Sequence, residues 1–218
     1  MVSFNRDIFF DTIREAPFPG KLNQQQVDGM NDILTVWEKY RGEADLRWLA
    51  YMLATTAHET SMEMQPIEEY GEGKGMKYGS PDPETGQTYY GRGFVQTTWR
   101  ENYARADKEI AEQFPGIVTD CEHDADQQLD PRVAAATMFL GMEEGWFRSK
   151  DGKPETLERH FNEDDDDPYG ARNIINGDTT KVPSWSGGVN IGNLIKGYHQ
   201  SFLVALELAA GHGDETVA

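Results

Sequence analysis

The chain has 218 residues, which is enough for one domain or two small ones with a substantial core. It carries 38 acidic and 20 basic residues, for a net charge of −18. This charge argues against nucleic acid as a partner, because binding to phosphates depends on Lys and Arg. Hydrophobic residues make up 38% of the chain, so global disorder is not expected. No apolar run is long enough for a transmembrane helix, so we expect no membrane insertion.

Two features bear on where the protein is made. The first residues, MVSFNRDIFFDTIREAPF, are interrupted by charges too soon to form the apolar region of a signal peptide. The single cysteine, Cys121, cannot form an internal disulfide, and no Lys or Arg lies nearby in sequence to activate it. We therefore expect synthesis in a reducing cytoplasm and a structural role for Cys121.

Hydrophobic spacing predicts a mainly α-helical fold. Asn23 is a predicted N-cap, as is Asp130, which is followed by Pro131 at the first helical position. Residues 66–88 are rich in Gly, Pro, Glu and Lys, which predicts a long loop. We expect a single domain over residues 1–218, with one lobe on either side of residues 66–97. The predicted helices cover residues 23–40, 44–62, 98–113, 131–146, 154–161 (short) and 190–210.

Several patterns resemble ligand sites without meeting their requirements. The pair His58-Glu59 lacks the second histidine of a zinc-protease motif, because Met62 occupies that position. The stretch GEGKGMKYG lacks the Gly-Lys-Ser/Thr ending of a phosphate loop. The acidic run at 163–167 lacks the alternating ligands and glycine of an EF-hand, so we interpret it as a solvated turn. The remaining histidines show no ligand spacing: His123, His160, His199 and His212. We predict no metal site and no cofactor.

A group of carboxylates is more informative. Glu59 lies where an apolar helical run meets the long loop, and Glu68 and Glu69 follow just past Pro66. A carboxyl group at such a helix end can be partly desolvated, which favours the protonated form that a general acid needs. By itself this pattern leaves an acidic loop as the alternative.

Further motifs decide the interpretation. The chain contains His58-Glu59-Thr60, then the acids of the loop, then YYGRGFVQTT at 89–98, and then NIING at 173–177. In this order they resemble glycoside hydrolase family 19, which comprises chitinases and their phage endolysin relatives. The resemblance covers about residues 45–205. It implies a mainly α, lysozyme-like fold of two lobes with a saccharide cleft between them.

The resemblance also implies an inverting mechanism with two carboxylates, one as acid and one as base for a water molecule. By motif position the acid is Glu59. The base is Glu68 or Glu69, and we prefer Glu69 because Ile67-x-Glu69 is similar to the hydrophobic-x-Glu of the endolysins. In the family a small hydroxyl residue helps to hold the water, and that position here is Thr98.

The same resemblance assigns substrate contacts. Polar residues that bind sugar in the family correspond to Gln96, Asn102 and Asn176. Tyr89 and Tyr90 either shape the cleft or belong to the core, and we count Tyr90 and Glu68 among the candidate substrate contacts. For Arg92 and Arg172 we favour structural ion pairs within the acidic cleft over contacts to sugar.

Departures from the plant chitinases favour the endolysin branch. A lysine that contributes to the plant cleft has no counterpart in RVAAATMFL, and the plant cysteines are absent. We therefore expect a phage-type endolysin that cleaves the β-1,4 bond between N-acetylmuramic acid and N-acetylglucosamine in peptidoglycan. It would act as a monomer, without a separate wall-binding module, and would reside in the host cytoplasm before release to the wall. A chitinase, a non-catalytic wall-binding protein and a secreted wall-degrading toxin are the alternatives.

Overall fold

A computed structural model describes residues 2–211 and shows a mainly helical fold, as predicted. Two short antiparallel strand pairs accompany the helices: β1 (Ile67–Glu68) with β2 (Arg92–Gly93), and β3 (Ser149–Lys150) with β4 (Lys153–Pro154). The helices are α1 (Arg6–Ile13), α2 (Gln24–Tyr40), α3 (Leu46–Glu59), α4 (Arg100–Gln113), α5 (Pro131–Glu144) and α6 (Ile191–Ala210). His212 lies outside the described residues.

Local signals in the sequence fix the starts of two helices. Asn23 caps α2 by accepting from the Gln26 amide, and the Gln26 side chain accepts from the Asn23 amide, which completes a capping box. Asp130 caps α5 by accepting from the amide of Arg132, with Pro131 at the first helical position. Both predicted caps are confirmed.

One predicted helix is absent from the structure, and one observed helix was not predicted. Residues 154–161 form no helix; β4 is followed there by turns. This segment is joined to other parts of the chain: the amides of Glu155 and Leu157 donate to the carbonyls of Arg148 and Met142, and Phe161 forms a bridge with Asp166. Helix α1 was not anticipated, and it packs against α6.

The core is continuous and includes buried side chains from all six helices within residues 2–211. Helix α3 lies at its centre, because residues 49–57 are buried without interruption and the helix packs against α6. A helix that is apolar on every side is expected only in such a position. The end of α3 therefore leads directly from the core to His58 and Glu59.

Other predictions concerned Cys121, the acidic run and membrane insertion. Cys121 is fully buried, and burial raises the pKa of its thiol to about 12, in agreement with a structural role. Residues 163–167 form an exposed turn. None of the helices between residues 2 and 211 combines the length and the apolar character that crossing a bilayer requires.

Candidate active site

Glu59 is the last residue of α3. The helix stops there because the chain turns sharply: Ser61 and Met62 have φ angles of 50° and 69°, in the left-handed region. Thr60 secures this turn, since its hydroxyl donates to the Thr56 carbonyl at 2.7 Å and accepts from the Met64 amide at 3.0 Å. The Glu59 side chain is left 17% exposed, so it is accessible although it follows directly on the core.

The carboxylate of Glu59 contacts a buried arginine. Arg172 donates to Glu59 from Nη1, and its Nε donates to Asp178 at 2.7 Å. The Arg172 side chain is only 2% exposed. The predicted structural ion pair of Arg172 is confirmed, and it joins the end of α3 to residues flanking the NIING motif.

The electrostatics of this cluster follow from that geometry. Partial burial acts to raise the pKa of Asp178, but hydrogen bonds from Arg172 and its charge outweigh burial and lower it. Asp178 is therefore ionised at neutral pH. Burial lowers the pKa of the neighbouring His58, against the opposing charge of Glu59, so this imidazole is neutral at pH 7.

Glu69 follows β1 and lies against the YYGRG motif. Its amide donates to the Gly91 carbonyl at 2.7 Å, and its Oε2 accepts from the Gly91 amide at 3.1 Å. Its Oε1 accepts from the Tyr78 hydroxyl at 3.3 Å. Both carboxylate oxygens of Glu69 are thus held by donors from elsewhere in the chain.

Glu68 has different partners. Its carboxylate accepts from the Tyr90 hydroxyl at 2.6 Å and lies 3.7 Å from Nε of Arg92, while its side chain is 44% exposed. Arg92 also pairs with Asp126 at 3.0 Å and lies 3.7 Å from the centre of the Tyr90 ring. The predicted ion pairing of Arg92 is confirmed. Burial, followed by the hydrogen bond to Glu68, raises the pKa of Tyr90 to about 12.

The remaining candidates fall into two groups. The side-chain amides of Gln96 and Asn102 donate to backbone carbonyls, Gln96 to Ile67 at 3.0 Å and Asn102 to Thr98 at 2.9 Å. The Thr98 hydroxyl and the exposed Asn176 side chain make no hydrogen bond within the described residues. Thr98 and Asn176 therefore keep their polar groups available. Tyr89 is a core residue whose hydroxyl donates to the Glu122 carbonyl at 2.6 Å.

A pocket of about 340 Å³ lies beside the end of α3. It contains Trp185, a residue that is 66% exposed on the loop before α6. That loop is closed at its base by a hydrogen bond of 2.9 Å from the Ile191 amide to the Lys181 carbonyl. The lining carries no charged group while His58 is neutral. The lining residues are Ala57, His58, Ser61, Met62, Trp185 and Tyr198.

Among residues 2–211, no group of three or more His, Cys, Asp or Glu side chains is arranged to hold a metal ion. The polar groups at this site are carboxylates, hydroxyls, an arginine and the neutral imidazole of His58.

Three residues at the site were not singled out from the sequence. Tyr78 belongs to the GEGKGMKYG stretch, Asp178 directly follows NIING, and Trp185 lies in a loop without regular periodicity. The position of Asp178 beside NIING was an available signal. Tyr78 and Trp185 reach the site through the folding of loops, which hydrophobic periodicity does not report.

Solved structures show where this fold occurs. No protein-family model matches the sequence, and no curated protein matches it. Chitinase C from Streptomyces griseus is 18% identical, with a TM-score of 0.59 over 95% of this chain and 78% of that one. A bacterial family 19 chitinase is 20% identical, with a TM-score of 0.54 over 93% of this chain and 94% of that one. A class IV chitinase of family 19 from Zea mays is 17% identical, with a TM-score of 0.52 over 95% and 94%. The chain has the fold of these chitinases, as the resemblance implied.

Proposed function

We propose that the protein is a glycoside hydrolase that cleaves polymers of β-1,4-linked N-acetylated sugars with inversion of configuration. One observation carries this proposal: each of two carboxylates is held by residues of another motif. Glu59 is bound by Arg172 next to NIING, and Glu69 is bound by Gly91 of YYGRG. Two carboxyl groups held independently of each other are what acid and base catalysis on opposite sides of a sugar ring requires.

In this mechanism Glu59 is the general acid. Its carboxyl group donates a proton to the glycosidic oxygen as the bond to the leaving sugar breaks. A carboxyl group that is neutral no longer pairs with a cation, and an unpaired buried guanidinium would be costly. Asp178 removes this difficulty, because its carboxylate accepts a hydrogen bond of 2.7 Å from Nε of Arg172. The acid is thereby able to gain and lose its proton without leaving the arginine unpaired.

Glu69 is the general base. It takes a proton from a water molecule, which attacks the anomeric carbon from the face opposite the leaving group. Inverting enzymes place their two carboxyl groups about 6.5–9.5 Å apart to admit this water. Both oxygens of Glu69 are anchored, by Gly91 at 3.1 Å and Tyr78 at 3.3 Å, which supports a fixed direction of attack. The free hydroxyl of Thr98 is proposed to hold the water.

For the substrate, we propose peptidoglycan and a phage-type endolysin that acts on the host wall. The support is the resemblance of the motifs to the endolysin branch, together with the missing plant cysteines and cleft lysine. The bond cleaved is that between N-acetylmuramic acid and N-acetylglucosamine. The leaving sugar is then N-acetylglucosamine, which is uncharged and suits the uncharged lining of the Trp185 pocket. Monomeric action and residence in the host cytoplasm before release belong to this proposal.

A chitinase is the second candidate, and two observations favour it. The solved structures of the same fold described above are chitinases. In addition, a net charge of −18 opposes approach to an anionic wall, whereas chitin is uncharged.

Digestion of both polymers tests the proposal. Purified peptidoglycan and chitin oligosaccharides are incubated with the protein and with Glu59→Gln, and the products are identified by mass spectrometry. Reducing-end N-acetylmuramic acid that is absent with the variant supports the endolysin. Cleavage of chitin alone supports the second candidate, and no new reducing end from either polymer contradicts both.

A further inference from the structure

We propose that Tyr78 is a positioning residue for Glu69, and that the glycine-rich segment 71–79 exists to hold Tyr78 in place. This inference rests on the proposed function, in which Glu69 is the base. It assigns a role to GEGKGMKYG, which resembles a phosphate loop in the sequence and which the carboxylate mechanism does not otherwise use.

The contacts of Glu69 show why a second donor matters. The Gly91 amide binds Oε2 at 3.1 Å, which fixes one oxygen but leaves the carboxylate able to rotate about that contact. The Tyr78 hydroxyl binds the other oxygen at 3.3 Å. With one donor on each oxygen the plane of the carboxylate is defined, and so is the direction of the lone pair that accepts the proton from water.

Glycines provide the space for the tyrosine ring. Gly73 has a φ angle of 63°, and a Cβ atom there would lie 2.7 Å from the Tyr78 ring. A Cβ atom at Gly79 would lie 2.1 Å from the Gly73 carbonyl oxygen. Only glycine allows the chain to pass this close to itself and to the ring. Gly73 and Gly79 therefore allow the loop to pack closely against the Tyr78 ring.

The Tyr78 ring also contacts the segment that follows YYGRG. The Trp99 ring lies edge-to-face with Tyr78 at a distance of 5.3 Å between centres. The Tyr89 amide donates to the Tyr78 carbonyl at 3.0 Å, which fixes the backbone as well. Burial and the adjacent Glu69 raise the pKa of Tyr78, so its hydroxyl keeps its proton and remains a donor.

The first test removes only the hydroxyl. Tyr78→Phe keeps the ring and its packing, and we expect kcat on chitin hexasaccharide or peptidoglycan to fall about 10- to 100-fold, with KM and the melting temperature unchanged. Tyr70→Phe is the matched control, because Tyr70 lies next to Glu69 in sequence but is fully exposed. A structural role alone would change the melting temperature and leave kcat near that of the control.

A double-mutant cycle shows whether Tyr78 acts through Glu69. In a Glu69→Gln background the residual turnover is expected to be the same with Tyr78 or Phe at position 78. An equal loss in both backgrounds would mean that Tyr78 acts independently of Glu69, which overturns the inference.

Substitutions of the glycines test whether this close packing positions Tyr78. Gly73→Ala places a methyl group against the Tyr78 ring, whereas Gly75→Ala, at a φ angle of 86°, meets no atom within 4 Å. Both variants carry the strain of a left-handed alanine, so their difference reports the contacts of the added methyl group with the Tyr78 ring and with Gly79. We expect Gly73→Ala to resemble Tyr78→Phe in kcat, and Gly75→Ala to lie close to wild type.

A failure of the proposed function and a failure of this inference give different results. If Glu69→Gln turns over like wild type, the proposed function loses its base, and this inference falls with it. If Glu69→Gln is inactive while Tyr78→Phe matches Tyr70→Phe, the base stands and the inference is wrong.

Discussion

Arg172 binds Glu59 and Asp178 with different nitrogen atoms of the same guanidinium group. Nη1 donates to Glu59, while Nε donates to Asp178 at 2.7 Å. The two carboxylates therefore do not compete for one position on the arginine. Because the guanidinium is almost completely buried, it needs a counter-charge in each protonation state of Glu59. Asp178 supplies that charge continuously, as the role proposed for Glu59 requires.

The first prediction concerns the acid. Glu59→Gln is nearly isosteric and can still accept from Arg172, but it cannot deliver a proton. We expect turnover to fall by about 10²–10⁴-fold or more, with little change in melting temperature. The exposed Glu63, four residues further along the chain, gives the control variant Glu63→Gln. Near wild-type kcat for Glu59→Gln would exclude Glu59 as the acid.

The second prediction separates the neighbouring carboxylates. Glu69→Gln should lower kcat by orders of magnitude, because an amide cannot take a proton from water. Glu68→Gln should remain within about threefold of wild type, since its side chain is 44% exposed and substitutions at such positions usually cost little. Initial rates of both variants on the same oligosaccharide show which carboxylate is the base. The reverse result would assign the base to Glu68 and keep the mechanism.

Part of the structure around the candidate residues was predictable because the motifs are local. The sequence pattern placed Glu59 at the end of a buried helix, and the resemblance assigned Thr98 and Asn176, whose polar groups are available in the structure. The caps Asn23 and Asp130 were predictable for the same reason, since a cap depends on residues within one turn.

What was not predictable depends on contacts between distant residues. Leu157 has helical spacing in the sequence, but residues 154–161 form no helix, and the Leu157 amide is bound to the distant carbonyl of Met142. Tyr78 reaches Glu69 only because Gly73 and Gly79 let the loop fold onto itself. Neither contact follows from periodicity or from a residue's own neighbours.

The third prediction is a dependence of stability on pH. Burial lowers the pKa of His199 from 6.5 to about 4, with Asp166 and Arg47 acting in opposite directions. The unfolded chain takes up this proton near pH 6.5 and the folded protein only near pH 4, so stability falls as the pH drops through that window. The loss attributable to His199 should reach roughly 3 kcal/mol at the lower end.

Urea unfolding between pH 7 and pH 4 measures this effect. His199→Phe keeps the stacking on Phe161 and should lose that part of the pH dependence. His123→Gln is the control, because His123 is 63% exposed. If the free energy of unfolding changes with pH equally in wild type and in His199→Phe, another group is responsible.

The fourth prediction concerns the Trp185 pocket. The exposed indole in this pocket at the end of α3 offers an apolar face to a sugar ring. We expect Trp185→Ala to raise KM for long oligosaccharides about tenfold, with little change in kcat. Val182→Ala is the control, since Val182 is also exposed on this loop. Equal KM values for the two variants would mean that the sugar chain does not cross the pocket.

The most direct test of the two-carboxylate mechanism is the configuration of the first product. Cleavage of chitin hexasaccharide, or of purified glycan strands if these are the only substrate, is followed by proton NMR from the first minutes of the reaction. A base that activates water opposite the leaving group yields the α-anomer before mutarotation sets in. We predict an initial excess of the α-anomer with wild type and no product with Glu59→Gln. An initial excess of the β-anomer would contradict the inverting mechanism and the assignment of Glu69 as its base.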